Sequence, residues 1–159
     1  MISVFLVQLI TLPYSESCFS PNQIDFTSYV VSSTYDWLVS PYYPSGTWAP
    51  ITGNTGGWVS MPDAPFIWDS SGCVCTITIT KSFFLPVLPS KVNLYIIVDD
   101  YVTATVNGGS SCYVTWNKKT LCDMTSSAVK GLNQLKLDAT NIIGPGGLAY
   151  KLEAYLKLA

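Results

Sequence analysis

The chain has 159 residues, a length that fits one domain with a sizeable buried core. Charged residues make up 11% of it, against about 25% in an average globular protein, and the formal net charge is −2. There is no His, and all eight basic residues are Lys. These features exclude Ser-His-Asp and Cys-His catalytic sites, imidazole zinc sites and the basic surface of a nucleic-acid binder. We therefore predict a protein that is not an enzyme, carries no cofactor or metal, and binds no nucleic acid.

The first twelve residues, MISVFLVQLITL, are mostly apolar. Their length suits the core of a signal peptide, but no Lys or Arg precedes them and no small-x-small cleavage site follows. A bilayer span needs about 20 apolar residues, so this segment is too short to cross a membrane. We expect it to form the first buried strand, with an uncleaved signal as the alternative. No other segment is a candidate for a membrane span.

The next part of the chain is rich in β-forming residues and then becomes irregular. Residues 24–39 contain many Tyr, Val and Trp and are predicted to be β-structure. Residues 41–65 are dense in Pro, Gly and aromatic residues, which cannot sustain a strand ladder. We predict that this region forms long loops over the surface of the domain. A short strand is expected at residues 66–68.

The second half of the chain alternates between apolar and polar residues, as half-buried strands do. Residues 73–84 place Thr on one side and Ile on the other, and residues 92–98 and 101–106 are predicted as two strands joined at Asp99-Asp100. Asn107-Gly108 supplies the positive φ angles of a tight hairpin, after which residues 113–116 return as a strand.

The alternation resumes near the end of the chain. Residues 133–139 are predicted as a strand, and residues 148–158 as the final one, with a Gly-Pro turn at 141–147 between them. One helical turn is expected at residues 125–130. Eight or nine short strands predict an all-β fold, an antiparallel β-sandwich or jelly roll, spanning residues 1–159 as a single domain.

The five cysteines are Cys18, Cys73, Cys75, Cys112 and Cys122. Cys112 and Cys122 bracket one loop, and they are the first pair that we predict to form a disulfide. Cys73 and Cys75 are two residues apart, so in a strand they face the same side and need partners elsewhere. Cys18 with Cys73 or Cys75 is the second pair that we consider, and it leaves one thiol over. Five reduced and mostly buried thiols remain the opposite possibility, because free Cys behaves as a small apolar residue.

A series of short motifs follows the strands between residues 66 and 158. They are Phe84-Leu85-Pro86, Leu94-Tyr95-Ile96, Asp99-Asp100, Val106-Asn107-Gly108, Trp116, Asp123-Met124-Thr125, Gly131-Leu132-Asn133, Ala139-Thr140-Asn141 and Gly144-Pro145-Gly146-Gly147-Leu148. In this order they resemble the galactose-binding-like jelly-roll domains of large β-galactosidases and related surface and virion proteins. The resemblance implies a sugar-binding type of β-sandwich. Each motif also has a structural explanation, such as a turn or a helix cap.

Several aromatic residues are candidates for binding a carbohydrate, because Trp and Tyr rings stack on the apolar side of a pyranose. Tyr42, Tyr43, Trp48 and Trp58 lie in the predicted loop region, and Trp116 follows the hairpin. Packing in the core or in a protein interface is the alternative role, since large aromatic side chains dominate both.

The low charge, the apolar start and the missing catalytic groups favour a non-catalytic structural subunit of a surface assembly. We expect a virion component or an extracellular appendage, located on a virion or cell surface, whose partners are other protein subunits. The alternative is a carbohydrate-binding module that recognises glycans through its loop aromatics. A glycoside hydrolase would need two carboxylates converging across a cleft.

Overall fold

The computed structural model describes residues 24–54 and 57–158. The predicted strand at residues 1–12 and Cys18 lie outside them. The described residues form ten strands: β1 (Ile24–Val31), β2 (Trp37–Val39), β3 (Thr47–Trp48), β4 (Thr76–Leu85), β5 (Lys91–Asp99), β6 (Tyr101–Val106), β7 (Cys112–Thr115), β8 (Thr120–Asp123), β9 (Gly131–Thr140) and β10 (Gly147–Leu158). A short 3₁₀ turn, Thr125–Ser127, lies where the helical turn is predicted.

The strands form two antiparallel sheets packed face to face. One sheet has four strands in the order β1-β10-β5-β8, and the other has six in the order β3-β2-β4-β9-β6-β7. The longest ladder of the larger sheet pairs β4 with β9, from Thr76 opposite Thr140 to Leu85 opposite Gly131. The predicted all-β, antiparallel β-sandwich is therefore confirmed.

The core lies between the sheets and is built by the alternation seen in the sequence. Ile77 and Ile79 of β4 are buried, as are Leu135, Leu137 and Ala139 of β9. Burying each Ile or Leu side chain contributes roughly 1.5–3 kcal/mol. Because side chains alternate along a strand, the residues between them must point away from the core.

The chain changes sheet between β5 and β6. Asp99 ends β5 in the four-stranded sheet, and Tyr101 begins β6 in the six-stranded sheet. The hairpin that follows is confirmed, since Asn107 and Gly108 have φ angles of 52° and 68°. The Gly109 amide donates to the Val106 carbonyl at 2.9 Å and closes this turn.

Three features of the sheets differ from the sequence-based expectations. The predicted strand at 66–68 is wrong, because Ile67 makes isolated bridges to Ile51 and Leu148 and no ladder. The region predicted to be loops contains β3, which is short because Pro44 and Pro50 flank it. The four-residue strand β8 was not predicted.

Residues 57–66 cover part of the outer face of the four-stranded sheet. Trp58, Met61 and Phe66 pack there against Ile97 and Ala149 and form a second, smaller core. The segment begins where the Asn54 side chain bonds to both the amide and the carbonyl of Trp58, each at 2.8 Å. One face of the sandwich is thus partly closed by the chain itself.

The structure pairs four cysteines. Cys73 is bonded to Cys75, with Cα atoms 5.3 Å apart, so the expectation that each needs a partner elsewhere is wrong. The reason is that β4 begins only at Thr76, and both residues lie in the irregular segment before it. Cys112 and Cys122 are also joined, with Cα atoms 6.0 Å apart. Among the described residues, no helix has the length and apolarity needed to cross a bilayer.

Candidate functional site

The outer face of the six-stranded sheet carries a field of threonines, which we call the threonine face. Its members are Thr76, Thr78 and Thr80 of β4, Thr103 and Thr105 of β6, Thr115 of β7 and Thr140 of β9. All are at least partly exposed, while the residues that alternate with them are buried. A hydroxyl both donates and accepts hydrogen bonds, so this face offers hydrogen-bond donors and acceptors together.

Hydrogen bonds between strands hold several of these side chains in place. The Thr76 and Thr140 hydroxyls lie 2.8 Å apart, and the Thr78 hydroxyl donates to Asp138 Oδ1 at 2.7 Å. Lys136 Nζ donates to the other carboxylate oxygen of Asp138 at 2.8 Å. The centre of the threonine face is therefore an ordered polar surface in which the two opposite charges compensate each other.

Two tryptophans lie at one edge of this face. Trp37 of β2 pairs with Trp48 of β3 and with Thr80 of β4, so both indoles point outward beside the threonines. Their ring centroids are 5.2 Å apart and the planes meet at 86°. The two residues are 39% and 59% exposed, a large apolar area for a free surface. A Cβ on Gly46, whose φ is 83°, would collide with the Trp37 indole, so glycine lets the β2–β3 loop close over this ring.

Tyr35 joins the two tryptophans in lining an open groove. With Thr80, Lys81 and Ser82, these three aromatic residues enclose about 340 Å³, and we call this the aromatic groove. Tyr35 is 78% exposed. The groove therefore combines flat apolar rings with the hydroxyl groups of Thr80 and Ser82.

A buried polar network lies next to the groove and anchors it to the core. Lys81 Nζ donates to Asp36 Oδ1 at 2.7 Å and to Ser33 Oγ at 2.9 Å. The Tyr150 hydroxyl donates to the other oxygen of Asp36 at 2.8 Å. Burial, together with the Asp36 charge and this hydrogen bond, raises the pKa of Tyr150 well above its usual range. The network fixes Asp36 immediately before β2 and so positions Trp37.

Tyr42 and Tyr43 lie beyond the opposite end of β2 from Tyr35. They are 65% and 37% exposed, and the Tyr43 hydroxyl lies 2.8 Å from Ser70 Oγ. The turn that carries them is tied to the Asp69 carboxylate by the Ser40 hydroxyl. Burial acts to raise the pKa of Asp69, but hydrogen bonds from Ser40 and Ser71 outweigh it and the pKa is lowered. The two tyrosines extend the exposed aromatic edge beyond the groove.

The other two candidate tryptophans do not join this site. Trp58 is 5% exposed, packs on Phe66 with centroids 4.9 Å apart and is pressed against Gly147, so its choice as a ligand-facing residue is wrong. It is needed to cover the four-stranded sheet. Trp116 is 59% exposed but follows β7, at the opposite edge of the six-stranded sheet from Trp48. Trp116 and Trp48 therefore cannot contact the same small ligand.

Sequence reasoning missed two parts of this surface. Trp37 and Tyr35 were assigned to β-structure and not to a site, although they stand close in sequence to Tyr42, Tyr43 and Trp48. The other missed part is a tyrosine pair at the far edge. Tyr101 and Tyr113 have ring centroids 6.1 Å apart and planes at 37°.

Asp99 and Asp100 stand at the junction of β5 and β6, and their carboxylates have different surroundings. Burial and the neighbouring Asp100 charge raise the pKa of Asp99, against a hydrogen bond from Trp116. The Asp100 carboxylate instead accepts a hydrogen bond from the Ile142 amide. In residues 24–54 and 57–158, no cluster of three or more His, Cys, Asp or Glu side chains is placed to hold a metal ion.

No protein-family model matches the sequence, and no curated protein sequence matches it. Several solved structures are similar in fold, and three of them are described below. A family two carbohydrate esterase from Cellvibrio japonicus covers 86% of this chain at 8% identity, with a TM-score of 0.45. An FMN-binding β-glucuronidase from Facaelibacterium prausnitzii L2-6 covers 78% at 16% identity, with a TM-score of 0.49. A family 35 carbohydrate binding module from Clostridium thermocellum covers 79% at 14% identity, also with a TM-score of 0.49.

The present chain spans 36% of the esterase and 22% of the glucuronidase, but 97% of the binding module. At these identities and TM-scores the likenesses assign neither a family nor an activity.

Proposed function

We propose that this chain is a non-catalytic carbohydrate-binding module that holds a glycan in the aromatic groove. The observation that carries the proposal is the outward-facing pair Trp37 and Trp48, 5.2 Å apart, beside Tyr35. Exposed aromatic rings at the edge of a rigid sheet offer flat apolar area to the C–H face of a sugar ring. A binding site of this kind needs a few polar groups as well, and the hydroxyl groups of Thr80 and Ser82 supply them.

Lys81 lies on the inner side of β4, opposite the buried Leu135, so its side chain is directed toward the core. Two of its three ammonium donors are engaged there by Ser33 and Asp36. Because Asp36 compensates the charge of Lys81 at 2.7 Å, the groove favours a neutral sugar over an acidic one.

The experiment is a glycan-array screen with Trp37→Ala and Trp48→Ala variants of the chain. Tyr29→Ala is the matched control, because Tyr29 is 58% exposed on β1 of the other sheet. We expect one class of neutral glycan to bind the native chain and the control equally, and each tryptophan variant to bind roughly tenfold more weakly or worse. Circular dichroism checks that the variants are folded. A folded native chain that binds no glycan contradicts the proposal.

A second function, the structural subunit of a virion or other surface assembly, is supported by a different observation. Phe84 and Leu132 lie directly opposite each other on the outer face of the six-stranded sheet and are 65% and 72% exposed. An apolar pair of this kind suits contact with another protein subunit. Both functions place the chain at a cell surface, on a virion or in the extracellular space. Size-exclusion chromatography with light scattering separates them, since Phe84→Ser alters self-association only if this pair is an interface.

A further inference from the structure

The aromatic groove and the threonine face lie on the same side of the same sheet and are continuous through the strand register. One row of outward side chains crosses five strands: Trp48, Trp37, Thr80, Lys136 and Thr105. The adjacent row consists of Val39, Thr78, Asp138, Thr103 and Tyr113. Each row runs at right angles to the strands, because directly paired residues of antiparallel strands are neighbours across the sheet.

The far end of this surface repeats the chemistry of the groove. Tyr113 is 61% exposed on the edge strand β7, and its ring lies beside that of Tyr101. Trp37 and Tyr113 are separated by four strand-to-strand steps, β2 to β4, β9, β6 and β7. At about 4.8 Å a step, the aromatic ends are roughly 19 Å apart across the sheet. This length exceeds one sugar ring and requires an oligosaccharide of several rings.

The surface between the two aromatic ends is polar and electrically balanced. Thr78, Thr103 and Thr105 present hydroxyls there, and Lys136 and Asp138 neutralise each other at 2.8 Å. These hydroxyl groups repeat at the spacing between neighbouring strands. A linear glycan also presents hydroxyl groups at regular intervals, so the two can form hydrogen bonds along their length. A flat ligand fits best, because the face is a sheet surface and not a closed pocket.

We propose that a neutral, linear glycan lies across the strands of this face, from Trp37 and Trp48 at one end to Tyr101 and Tyr113 at the other. The inference rests on the proposed carbohydrate-binding function and gives it a ligand class: an extended chain bound along its internal length. Because β3 and β7 are the outermost strands of the sheet that residues 24–54 and 57–158 form, a glycan longer than the face extends past both of these strands. The threonine face supplies hydrogen bonds, and the two aromatic ends supply the stacking surfaces.

Isothermal titration with linear β-1,4-linked gluco-, xylo- and manno-oligosaccharides of two and six rings tests this inference. The native chain is compared with Tyr113→Ala and with Thr103→Val, which removes a hydroxyl and keeps the shape of the side chain. Tyr29→Ala again serves as the control on the opposite sheet. We expect at least one six-ring oligosaccharide to bind roughly tenfold or more tightly than its two-ring counterpart. Tyr113→Ala removes that gain, and Thr103→Val reduces it.

Two results would overturn the proposal that the glycan crosses the whole face. They are equal affinities for two and six rings, and a six-ring affinity that Tyr113→Ala leaves unchanged. Either result would confine the site to the aromatic groove. Failure of the proposed function has a different signature. In that case the folded native chain binds no oligosaccharide of either length and no glycan on the array.

Discussion

The Tyr150 hydroxyl donates to Asp36 Oδ2 across 2.8 Å inside the sandwich. Tyr150 belongs to β10 of the four-stranded sheet, whereas Asp36 immediately precedes β2 of the six-stranded sheet. Both residues are 0% exposed. This contact therefore links the two sheets through a buried carboxylate, directly beneath the edge that carries the aromatic groove.

Replacing Tyr150 with Phe removes this donor and leaves the buried Asp36 carboxylate less satisfied. A hydrogen bond to a charged group contributes about 1.5–3 kcal/mol, so we expect the free energy of unfolding to fall by that amount in a urea titration. Tyr155→Phe is the matched control, because the Tyr155 hydroxyl bonds to Glu153 on the exposed face at 3.1 Å. Equal losses in the two variants would show that the buried contact adds nothing specific.

Replacing Lys81 with Met removes the partner of the same carboxylate. The Asp36 side chain is 0% exposed and that of Lys81 is 18% exposed, so the variant leaves a buried charge without its counterion. Breaking such a pair costs roughly 3 kcal/mol or more. Lys136→Met breaks an ion pair whose members are 47% and 42% exposed, and it should cost less than about 1 kcal/mol. Chemical denaturation of both variants measures the difference, and a Lys81 variant as stable as the Lys136 variant contradicts this account.

We predict that Cys112 and Cys122 are oxidised in the native protein and that their bond stabilises it. The two cysteines lie on β7 and β8, which are edge strands of different sheets, so the bond joins the sheets. Closing a loop of this size stabilises a fold by about 2–3 kcal/mol. The double variant Cys112→Ser, Cys122→Ser should therefore unfold at a lower temperature than the oxidised native chain. Peptide mapping without reductant identifies the bonded pair, and two free thiols at these positions contradict the prediction.

Asp99→Asn should stabilise the chain at pH 7. The pKa of Asp99 is raised above its ordinary value of 3.8, chiefly by burial and also by Asp100. A raised pKa means that the folded state favours the protonated carboxyl, so the native chain loses stability as the pH rises from 3.8 through the folded pKa. Asn carries no charge and avoids this loss. Thermal unfolding across pH 3 to 8 should show the gain at neutral pH and its disappearance below 3.8.

Asp69→Asn should change the stability of the chain in the opposite direction to Asp99→Asn. The pKa of Asp69 is lowered, because hydrogen bonds from Ser40 and Ser71 outweigh the effect of burial. The carboxylate therefore contributes stability above pH 3.8 that is lost as the pH falls through the folded pKa. Asp69→Asn should destabilise the chain at pH 7 and become neutral in strong acid. Shifts of the same sign in the Asp69 and Asp99 variants would contradict both assignments.

The sequence predicts the long strands well because their burial has a period of two. Ile77 and Ile79 alternate with threonines along β4, and Leu135 and Leu137 alternate with polar residues along β9. Local pattern alone distinguishes the two faces of such strands. β8 lacks this signal, since it has four residues and ends at an Asp that belongs equally to a turn.

The candidate site is less predictable, because it depends on which strands become neighbours. Trp48 was identified as a candidate, but its contact with Trp37 follows from the pairing of β3 with β2, which no local pattern specifies. Trp58 was also identified as a candidate, but the structure places it away from the site. It lies in a Gly- and Pro-rich stretch typical of exposed loops, yet it is buried because residues 57–66 cover Ile97 and Ala149 on the four-stranded sheet.

The ion pair at the centre of the threonine face affects how the proposed binding depends on salt concentration. Lys136 and Asp138 are tied to each other at 2.8 Å, so a ligand that crosses them meets no net charge. Dissolved ions weaken attraction between exposed opposite charges, and at 1 M ionic strength that attraction extends only about 3 Å. Stacking on aromatic rings and hydrogen bonding to hydroxyl groups do not depend on such screening. We therefore expect the proposed glycan to bind with nearly the same affinity at about 1 M salt as in dilute buffer.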